Sequence, residues 1–524
     1  MAGVFSTMNI FSDTAKTAWL AALSVLVPLR AAAVPEWRVF HHEGVLGTSL
    51  ELKFFAHSAA DAEAAEAAAL AEFDRLGKIL SGYDATSEFR QWLATRGEAI
   101  RVSPELFEVL ALFDTWRERT GGALDASAEV AGLLWKAAAQ AQRVPSAEEL
   151  AAAVAAVRQT HWRLDATART ATHLSDAPLR LNSFAKSYII ERACAAAVEA
   201  GHVAAAVVNL GGDLVVRGAA ADTVAIADPL DEAENGMPLT RIAVRERAVA
   251  TSGGYRRGVE IAGRWYSHLV DPRTGRPVDH VRSATVVAPR ATDAGALATA
   301  LCVMTAEDGM RLAATLPDVE CLLVMSDGRR IASEGWSGLE TPPGPSATRG
   351  VFAAMAAPGG SSPASSATWD PELELMVNFE LASPGSGRAK RPFLALWIED
   401  KDSFPVRTVA LWYHGNRWLP EMRAWSHADH LRAMAEGTQI ADSVSSATRG
   451  PGKYTLKWDG RDAAGQLVPA GNYTLCLEVA REHGTHQLIR REVDFSGGAP
   501  RADFPANAEL ASASLDYRRK AAVR

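Results

Sequence analysis

The assignment of the fold rests on the stretch ATSGGYRRGVEIAGRWYSHLVDPRTGRPV, residues 250–278. Its second half places His268, Asp271, Arg273 and Arg276 within nine positions, among residues that favour turns. A surface loop rarely needs so many hydrogen-bond donors and acceptors, so the segment is a candidate binding site. Asp-Pro-Arg-Thr-Gly is also a good turn sequence, and a purely structural role for Asp271 therefore stays open.

Further short motifs flank this stretch and combine glycine-rich turns with basic and hydroxyl side chains. They are GVLGTSLEL (44–52), SGYDATSEF (81–89), TGGALDAS (120–127), LRLNSFAKSYIIERA (179–193), NLGGDLVVRG (209–218) and SATVVAPRATDAGALATALCVM (283–304). Backbone N–H groups of glycine-rich turns can approach a phosphate closely, and Asp and Thr oxygens suit Mg²⁺. Together the motifs predict a site for a phosphorylated ligand with a hard cation.

Taken singly, each motif also has a plain structural interpretation. NLGGDL reads equally well as a hairpin turn between two buried strands, because paired glycines tolerate positive φ. TGGALD reads as a loop that ends at a helix cap, and Lys186 alone reads as a solvated charge on a helix.

Length and charge limit the class of protein. A chain of 524 residues with 48% hydrophobic and 22% charged residues predicts two to four globular domains. The net charge of −8 argues against a nucleic-acid partner. The cysteines Cys194, Cys302, Cys321 and Cys476 are too scattered for a zinc site or a disulfide framework. Cys302 and Cys321 lie in apolar runs and are interpreted as buried thiols, with a disulfide between them left open.

The N-terminal region predicts export. The apolar run AWLAALSVLVPL is followed by Arg30 and three alanines, as in a signal peptide covering residues 1–33. A buried helix is the alternative interpretation. The mature protein is expected to begin near Val34, in the periplasm and without stable membrane insertion, with a loose tie to the inner membrane left open.

The remaining chain divides by pattern. Residues 36–340 alternate between helix and strand signals, including a helix over 58–80 and a capping box at Ser146 and Glu149. HVAAAVVNL, RIAVRERAVAT and SATVVAP read as strands. Residues 341–368 are rich in Pro, Gly, Ser and Ala and predict a linker. Residues 369–497 predict an antiparallel β-sandwich with no catalytic role, and residues 498–524 predict a loosely ordered tail.

In the predicted sandwich, WDGRDAAGQLVPAGNYTL (458–475) resembles the Ig-like repeat of flagellar hook-capping proteins. The stretch also resembles exported domains that follow transferases of the kind described next. Its Trp, Gly and Tyr positions are interpreted as turn and corner residues. Several tryptophans are interpreted as sandwich core or rim, with a ligand-binding face left open: Trp397, Trp412, Trp418 and Trp425.

Over about 260 residues, the first domain resembles the ApbE-type FAD:protein FMN transferases. The resemblance rests on T-S-G-x-Y followed by S-H-x-x-D-P-R-T-G-R-P, with N-x-G-G-D upstream and A-L-A-T-A-L downstream. It implies an α+β flavin-transferase domain, followed here by the all-β sandwich. Family members are exported enzymes that move FMN from FAD to a Thr or Ser hydroxyl of another protein and release AMP.

The resemblance also implies roles for single residues. His268 is the candidate general base, with a purely structural hydrogen-bonding role as the alternative. The expected FAD contacts are Leu46, Tyr83, Ala123, Leu124, Asp125, Arg180, Lys186 and Leu269. Mg²⁺ is expected at the backbone carbonyl of Ser183 and the hydroxyl of Thr299.

Two departures from the family pattern matter most, at positions 180 and 295, and Leu46 and Ser187 also replace the family's Met and Gly. Arg180 stands where the family has Asp, and AKSY at 185–188 replaces A-K-G-Y. The metal-binding Asp of the family falls on Gly295. Asp293 is the hypothetical replacement ligand, although on a helix it would point about 200° away from residue 295. Direct neutralisation of the FAD pyrophosphate by Arg180 is the second hypothesis.

The expected activity is therefore transfer of FMN from FAD to an exported acceptor protein of an electron-transfer system. A non-catalytic flavin-binding protein with a decayed metal site is one alternative. An FAD hydrolase that yields FMN and AMP is the other.

Overall fold

A computed structural model of the protein describes residues 34–231, 233–255, 257–341, 368–383, 391–413, 416–436, 445–446, 448–482, 484–496 and 501–520. The predicted signal peptide lies outside the described residues, as do residues 342–367 of the predicted linker. Within the described ranges, no helix has the length and apolar character needed to cross a membrane.

The α-helices are α1 (Ala59–Leu80), α2 (Glu88–Leu93), α3 (Pro104–Arg119), α4 (Glu129–Gln140), α5 (Ala147–Val157), α6 (Asn182–Gly201), α7 (Ala291–Val303), α8 (Ala306–Ala314) and α9 (Arg423–Glu436). Strands of the first half are β1 (Glu36–Val45), β2 (Thr48–Ala56), β3 (Ala99–Arg101), β4 (Trp162–Asp165), β5 (Thr170–His173), β6 (Ala205–Leu210), β7 (Asp213–Gly218), β8 (Asp222–Ile226) and β9 (Thr240–Val244). They continue with β10 (Arg247–Gly253), β11 (Gly258–Ile261), β12 (Arg264–Ser267), β13 (Val270–Asp271), β14 (Arg276–Pro277), β15 (Val281–Ala288), β16 (Glu320–Met325) and β17 (Arg330–Ala332). Later strands are β18 (Leu373–Leu381), β19 (Phe393–Glu399), β20 (Pro405–Trp412), β21 (Ser445–Ser446), β22 (Gly452–Trp458), β23 (Asn472–Ala480), β24 (His486–Asp494), β25 (Arg501–Phe504) and β26 (Leu510–Arg519).

An eight-stranded antiparallel sheet forms the centre of the first half, in the order β1-β2-β6-β7-β10-β15-β16-β17. One face packs against α1, α6 and α7 in the largest apolar core. The hairpin of β8 and β9 and the side chain of Trp336 cover apolar residues of the opposite face. This α+β arrangement agrees with the fold class that the sequence predicts.

Several local predictions are confirmed. The helix predicted over 58–80 is α1, and Ser146 with Glu149 forms the capping box of α5. NLGGDL is indeed a hairpin turn, since Gly211 and Gly212 have φ of 61° and 101° between β6 and β7. All four cysteines are buried and free, so the disulfide left open between Cys302 and Cys321 does not form.

One predicted strand is wrong. The segment RIAVRERAVAT was expected to be a single strand, but it divides into the end of β9 and the start of β10. Glu246 adopts a φ of 53° between them, a left-handed conformation that breaks an extended strand. The alternating side chains on either side therefore belong to two different sheets.

The second half contains two β-sheets, in the orders β22-β18-β26-β25 and β21-β20-β19-β23-β24. Apolar side chains from both sheets share one core, as the predicted sandwich requires. The prediction of an all-β domain omits α9, which packs Trp425 against Trp397 and the outer face of the second sheet. Trp397, Trp412 and Trp425 are buried, as predicted, whereas the Trp418 side chain lies outside the described residues.

The prediction of a loose tail after residue 497 is wrong for residues 501–519. Strand β26 pairs with β18 along almost its whole length and with β25 on its other side, so it is an interior strand. Its buried residues Leu510, Ala513, Leu515 and Tyr517 point into the sandwich core. The polar residues that suggested disorder occupy the solvent-facing positions of an alternating strand.

The two halves are joined by hydrogen bonds as well as by the chain. The backbone N–H of Glu234 donates to the carbonyl of Thr455 at 2.8 Å. The Asn235 side chain donates to the Lys457 carbonyl at 2.8 Å and accepts from the Lys457 N–H at 2.9 Å. Residues 234 and 235 therefore cover the outer edge of β22 and protect this edge strand from pairing with another chain.

Gly460 packs closely against a buried tryptophan of the sandwich core, so a substitution there tests this packing. Its φ is 74°, and an added Cβ would lie 2.2 Å from Cδ2 of the buried Trp369. We expect Gly460→Ala to lower the free energy of unfolding by about 2–4 kcal/mol, because backbone strain and overpacking add. Denaturant unfolding followed by tryptophan fluorescence measures the change. Gly465→Ala is the matched control, since φ is 79° but no atom lies within 4 Å of the new Cβ; an equal loss in both variants would contradict the packing argument.

Candidate functional site

Lys186, Asp213 and Arg257 form a charged cluster, although they come from three separate motifs. Lys186 lies on α6, Asp213 opens β7 directly after the Gly211–Gly212 turn, and Arg257 precedes β11. Burial lowers the pKa of Lys186; the Asp213 carboxylate opposes this shift, and the Arg257 guanidinium adds to it. Burial raises the pKa of Asp213 to about 6, against the attraction of Lys186 and Arg257. The cluster thus presents two cations with one carboxylate.

Arg257 also connects this cluster to His268. The Nδ1–H group of His268 donates to the Arg257 carbonyl at 3.1 Å, since a carbonyl can only accept. That bond fixes the tautomer and leaves Nε2 as the basic nitrogen of the ring. Burial lowers the pKa of His268; the hydrogen bond to the Arg257 carbonyl opposes this, and the Arg257 charge contributes to it. His268 is therefore neutral at pH 7 and able to accept a proton.

This lowered pKa predicts a pH profile. A base with a lowered pKa keeps its lone pair to more acidic pH than an ordinary histidine, whose pKa is about 6.5. The expected chemical step is FMN transfer, and we expect the acid limb of its rate to be centred below pH 6.5. Single-turnover rates between pH 5 and 8 measure the profile. An acid limb centred above pH 7 would contradict the assignment of His268.

Arg180 and Tyr83 lie together beside the charged cluster. The Arg180 guanidinium lies 4.8 Å from the centre of the Tyr83 ring and 3.2 Å from Glu129 Oε1. Tyr83 is 76% exposed, and its hydroxyl accepts from the Asn182 side chain at 3.4 Å. An exposed tyrosine ring backed by a cation suits stacking with a planar aromatic ligand. Glu129 Oε1 is shared between Arg180 and Lys136, which lies 3.9 Å away. Direct neutralisation of the pyrophosphate by Arg180 stays a prediction.

The predicted contacts Ala123, Leu124 and Asp125 lie together but point inward. Ala123 and Leu124 are each 2% exposed. Asp125 Oδ2 lies 2.8 Å from Arg117 Nε, and its Oδ1 accepts from the backbone and hydroxyl of Ser127. The Asp125 side chain therefore holds the start of the next helical turn. A ligand beside this loop would meet its backbone.

Leu269 packs with Ala123 in a small apolar cluster, which brings the TGGALD and SHLVDP motifs together. Leu46 lies in the turn between β1 and β2 with a φ of 48°, and its side chain packs near Gly77 of α1. No contact among the described residues joins Leu46 to the charged cluster. Its role as a flavin contact stays a prediction.

The expected metal position lies where α6 crosses α7. Gly295 offers no side chain there, and a Cβ at that position would lie 2.3 Å from Ser187 Oγ and 3.3 Å from the Ser183 carbonyl oxygen. Thr299 Oγ1 donates to the Gly295 carbonyl at 3.1 Å. Because α7 is a regular helix through Asp293, that carboxylate points away from residue 295, so replacement by Asp293 is not supported.

The oxygen atoms at this crossing are neutral, whereas Mg²⁺ in proteins is usually held by one or two carboxylates. Across the part of the chain that the structure describes, no group of three or more His, Cys, Asp or Glu residues could hold a metal ion. The residues present therefore do not fit the expected Mg²⁺ site.

No functional role was predicted from the sequence for three residues of the site: Asp213, Arg257 and Glu129. Asp213 and Arg257 lie inside motifs quoted above, next to residues that did receive roles. Their charge and their position after glycine-rich turns could have identified both residues as candidates for the site. Glu129 and Arg180 are 51 positions apart in the sequence, and no local sequence pattern predicts that they form an ion pair.

Fold and site together define an α+β protein with a cationic cluster suited to a phosphorylated, aromatic ligand. This chain belongs to the ApbE family, whose family model matches residues 46–323. A second model, described as a predicted periplasmic protein of unknown function, matches residues 374–512. The proposed likeness of the second half to flagellar hook-capping repeats stays a prediction.

Named relatives agree with this assignment. The chain is 30% identical to the FAD:protein FMN transferase of Treponema pallidum, over 56% of this chain and 86% of the relative. It is also 30% identical to that of Vibrio cholerae, over 56% of this chain and 90% of the relative. A crystal structure of the ApbE protein of Thermotoga maritima aligns with a TM-score of 0.52 and 26% identity, over 59% of this chain and 100% of that one.

Proposed function

We propose that this protein is an FAD:protein FMN transferase of the periplasm. The observation that carries the proposal is the convergence of four separate motifs on one site. These motifs supply Tyr83, Lys186, Asp213, Arg257 and His268. The match to named transferases, over 86% and 90% of their lengths, supports the same conclusion. The sequence match of residues 374–512 to a predicted periplasmic family supports the location.

In the proposed reaction, an acceptor Ser or Thr hydroxyl attacks the FMN-side phosphorus of the FAD pyrophosphate. A new P–O bond forms to the acceptor, and the P–O bond to the AMP phosphate breaks. His268 Nε2 takes the hydroxyl proton, and AMP leaves with the bonding electron pair. Lys186 and Arg257 face the phosphates and stabilise the charge that develops on their oxygens, which is the main contribution in phosphoryl transfer.

Tyr83 is the proposed stacking surface for the flavin ring, with Arg180 on the opposite face of the tyrosine. FAD is the substrate, and the acceptor is an exported protein of an electron-transfer system. Mg²⁺ stays outside the proposed steps because the residues at the α6–α7 crossing do not fit it.

The test incubates the purified protein with FAD and an acceptor that carries D-G-x-[ST]-[GA]-[AST], the type of motif that the family resemblance implies for acceptors. It follows acceptor mass and AMP. Covalent FMN on the acceptor is the expected result. AMP release with an unmodified acceptor would establish an FAD hydrolase instead. Bound FAD with neither product would favour a non-catalytic flavin-binding protein.

A further inference from the structure

Ser187 of α6 and Gly295 of α7 lie opposite each other where the two helices cross. Ser187 is buried, with 2% of its surface exposed, and Gly295 is buried opposite it. A Cβ built on Gly295 would lie 2.3 Å from Ser187 Oγ, closer than two such atoms ever approach. The serine hydroxyl therefore occupies the space that any side chain at position 295 would need.

Both residues depart from the family pattern, in which position 187 is Gly and position 295 is Asp. The two departures meet across a single contact. Relative to the family pattern, the small residue lies on α7 instead of α6, and the polar side chain lies on α6 instead of α7. What changes is the charge, because a carboxylate is replaced by a neutral hydroxyl.

The surroundings do not restore an anionic ligand. Thr299 Oγ1 is engaged by the Gly295 carbonyl and lies 3.3 Å from Ser252 Oγ. The nearby carboxylate of Asp213 accepts from the Thr251 N–H and interacts with two cations, Lys186 and Arg257. Bringing a divalent cation to this crossing would desolvate it against neutral oxygens, which is unfavourable.

We propose that the Ser187–Gly295 exchange has closed the divalent-cation site at the α6–α7 crossing, so that this protein binds FAD without a metal there. The proposal rests on the proposed function only in taking FAD as the ligand. Lys186 and Arg257 supply the positive charge that faces the phosphates. Reversing both substitutions reopens the site, because Ser187→Gly creates the space and Gly295→Asp supplies the carboxylate.

The first experiment measures Mn²⁺ binding by electron paramagnetic resonance, without FAD, in the wild type, S187G/G295D and S187G/G295A. The control variant S187G/G295A opens the same space but adds no charge. We expect S187G/G295D to bind Mn²⁺ at least about tenfold more tightly than the other two proteins. Wild-type binding as tight as that of S187G/G295D would overturn the proposal.

The second experiment measures FAD affinity by flavin fluorescence in EDTA and in Mg²⁺. Wild-type affinity is expected to change less than about twofold, and that of S187G/G295D to rise at least about tenfold with Mg²⁺. A tenfold loss of wild-type affinity in EDTA would overturn the proposal. If no protein binds FAD under either condition, the proposed function fails, and the Mn²⁺ result still decides the metal question.

The contact between Ser187 and Gly295 can be tested separately by measuring the Tm of variants in thermal unfolding. Gly295→Ala alone is expected to lower Tm by about 5 °C, because the new Cβ collides with Ser187 Oγ. S187G/G295A is expected to recover most of that loss. An unchanged Tm in Gly295→Ala would show that the two helices do not meet as described and would overturn the argument.

Discussion

Replacing His268 with alanine is expected to reduce the rate of FMN transfer by about 10²–10⁴-fold, the usual contribution of a positioned general base. The loss should fall on the chemical step, because the ring is held through Nδ1 and Nε2 is the proposed acceptor of the hydroxyl proton. FAD affinity should change little. Single-turnover transfer measured by acceptor mass, with FAD affinity measured separately, distinguishes the two effects.

His202→Asn is the matched control for this experiment. His202 is an exposed residue that ends α6 with a φ of 48°, a conformation that asparagine tolerates. The control should transfer FMN at the wild-type rate. A His268→Ala rate within threefold of the control would assign His268 a structural role beside the flavin, the alternative that the sequence left open.

Lys186→Met is expected to reduce transfer by about 10²–10³-fold, in the range seen when one stabilising group is removed from a developing negative charge. FAD affinity should fall as well, since the proposed contact of Lys186 with the phosphates is made in both the bound state and the transition state. The pKa of Asp213 should rise above about 6 in this variant, because the carboxylate loses one of its two cationic neighbours. Pre-steady-state kinetics separate the loss of rate from the loss of affinity.

Lys186→Arg is the charge-conserving comparison. It should retain more activity than Lys186→Met, although a guanidinium fits a half-buried point-charge position poorly. The Asp213 pKa is read from the carboxyl resonance of ¹³C-labelled protein. Equal rates for the wild type and Lys186→Met would remove Lys186 from the proposed site.

Elements with strong local signals were predictable. The period of apolar residues located α1, and the Ser146–Glu149 spacing located the start of α5. Strand β26 was missed because its buried residues alternate with Ser, Asp and Arg, a pattern that resembles a polar tail unless the partner strand is known. The helix α9 was missed because apolar strand signals surround it and its own sequence is strongly polar.

The site was predictable in its residue types and less so in their roles. His268 and Lys186 lie in or beside the charged cluster, as the motifs predicted. Asp125 instead stabilises its own loop, and Arg180 pairs with Glu129. Both outcomes depend on partners whose positions follow from the tertiary fold. The Ser187–Gly295 contact joins residues more than one hundred positions apart, and only the packing of α6 on α7 shows that the two substitutions belong together.

The position of β26 sets the order in which the second half of the chain can fold. Strand β18 must pair with β22 on one side and with β26 on the other, and residues 373–381 are separated from residues 510–519 by most of the domain. During synthesis or translocation, the first sheet of the sandwich therefore lacks an interior strand until residue 519 has emerged. Pairings so distant in sequence form slowly. Until then one edge of β18 keeps its hydrogen-bonding groups unpaired, so the sandwich is completed only after the first half has had time to fold.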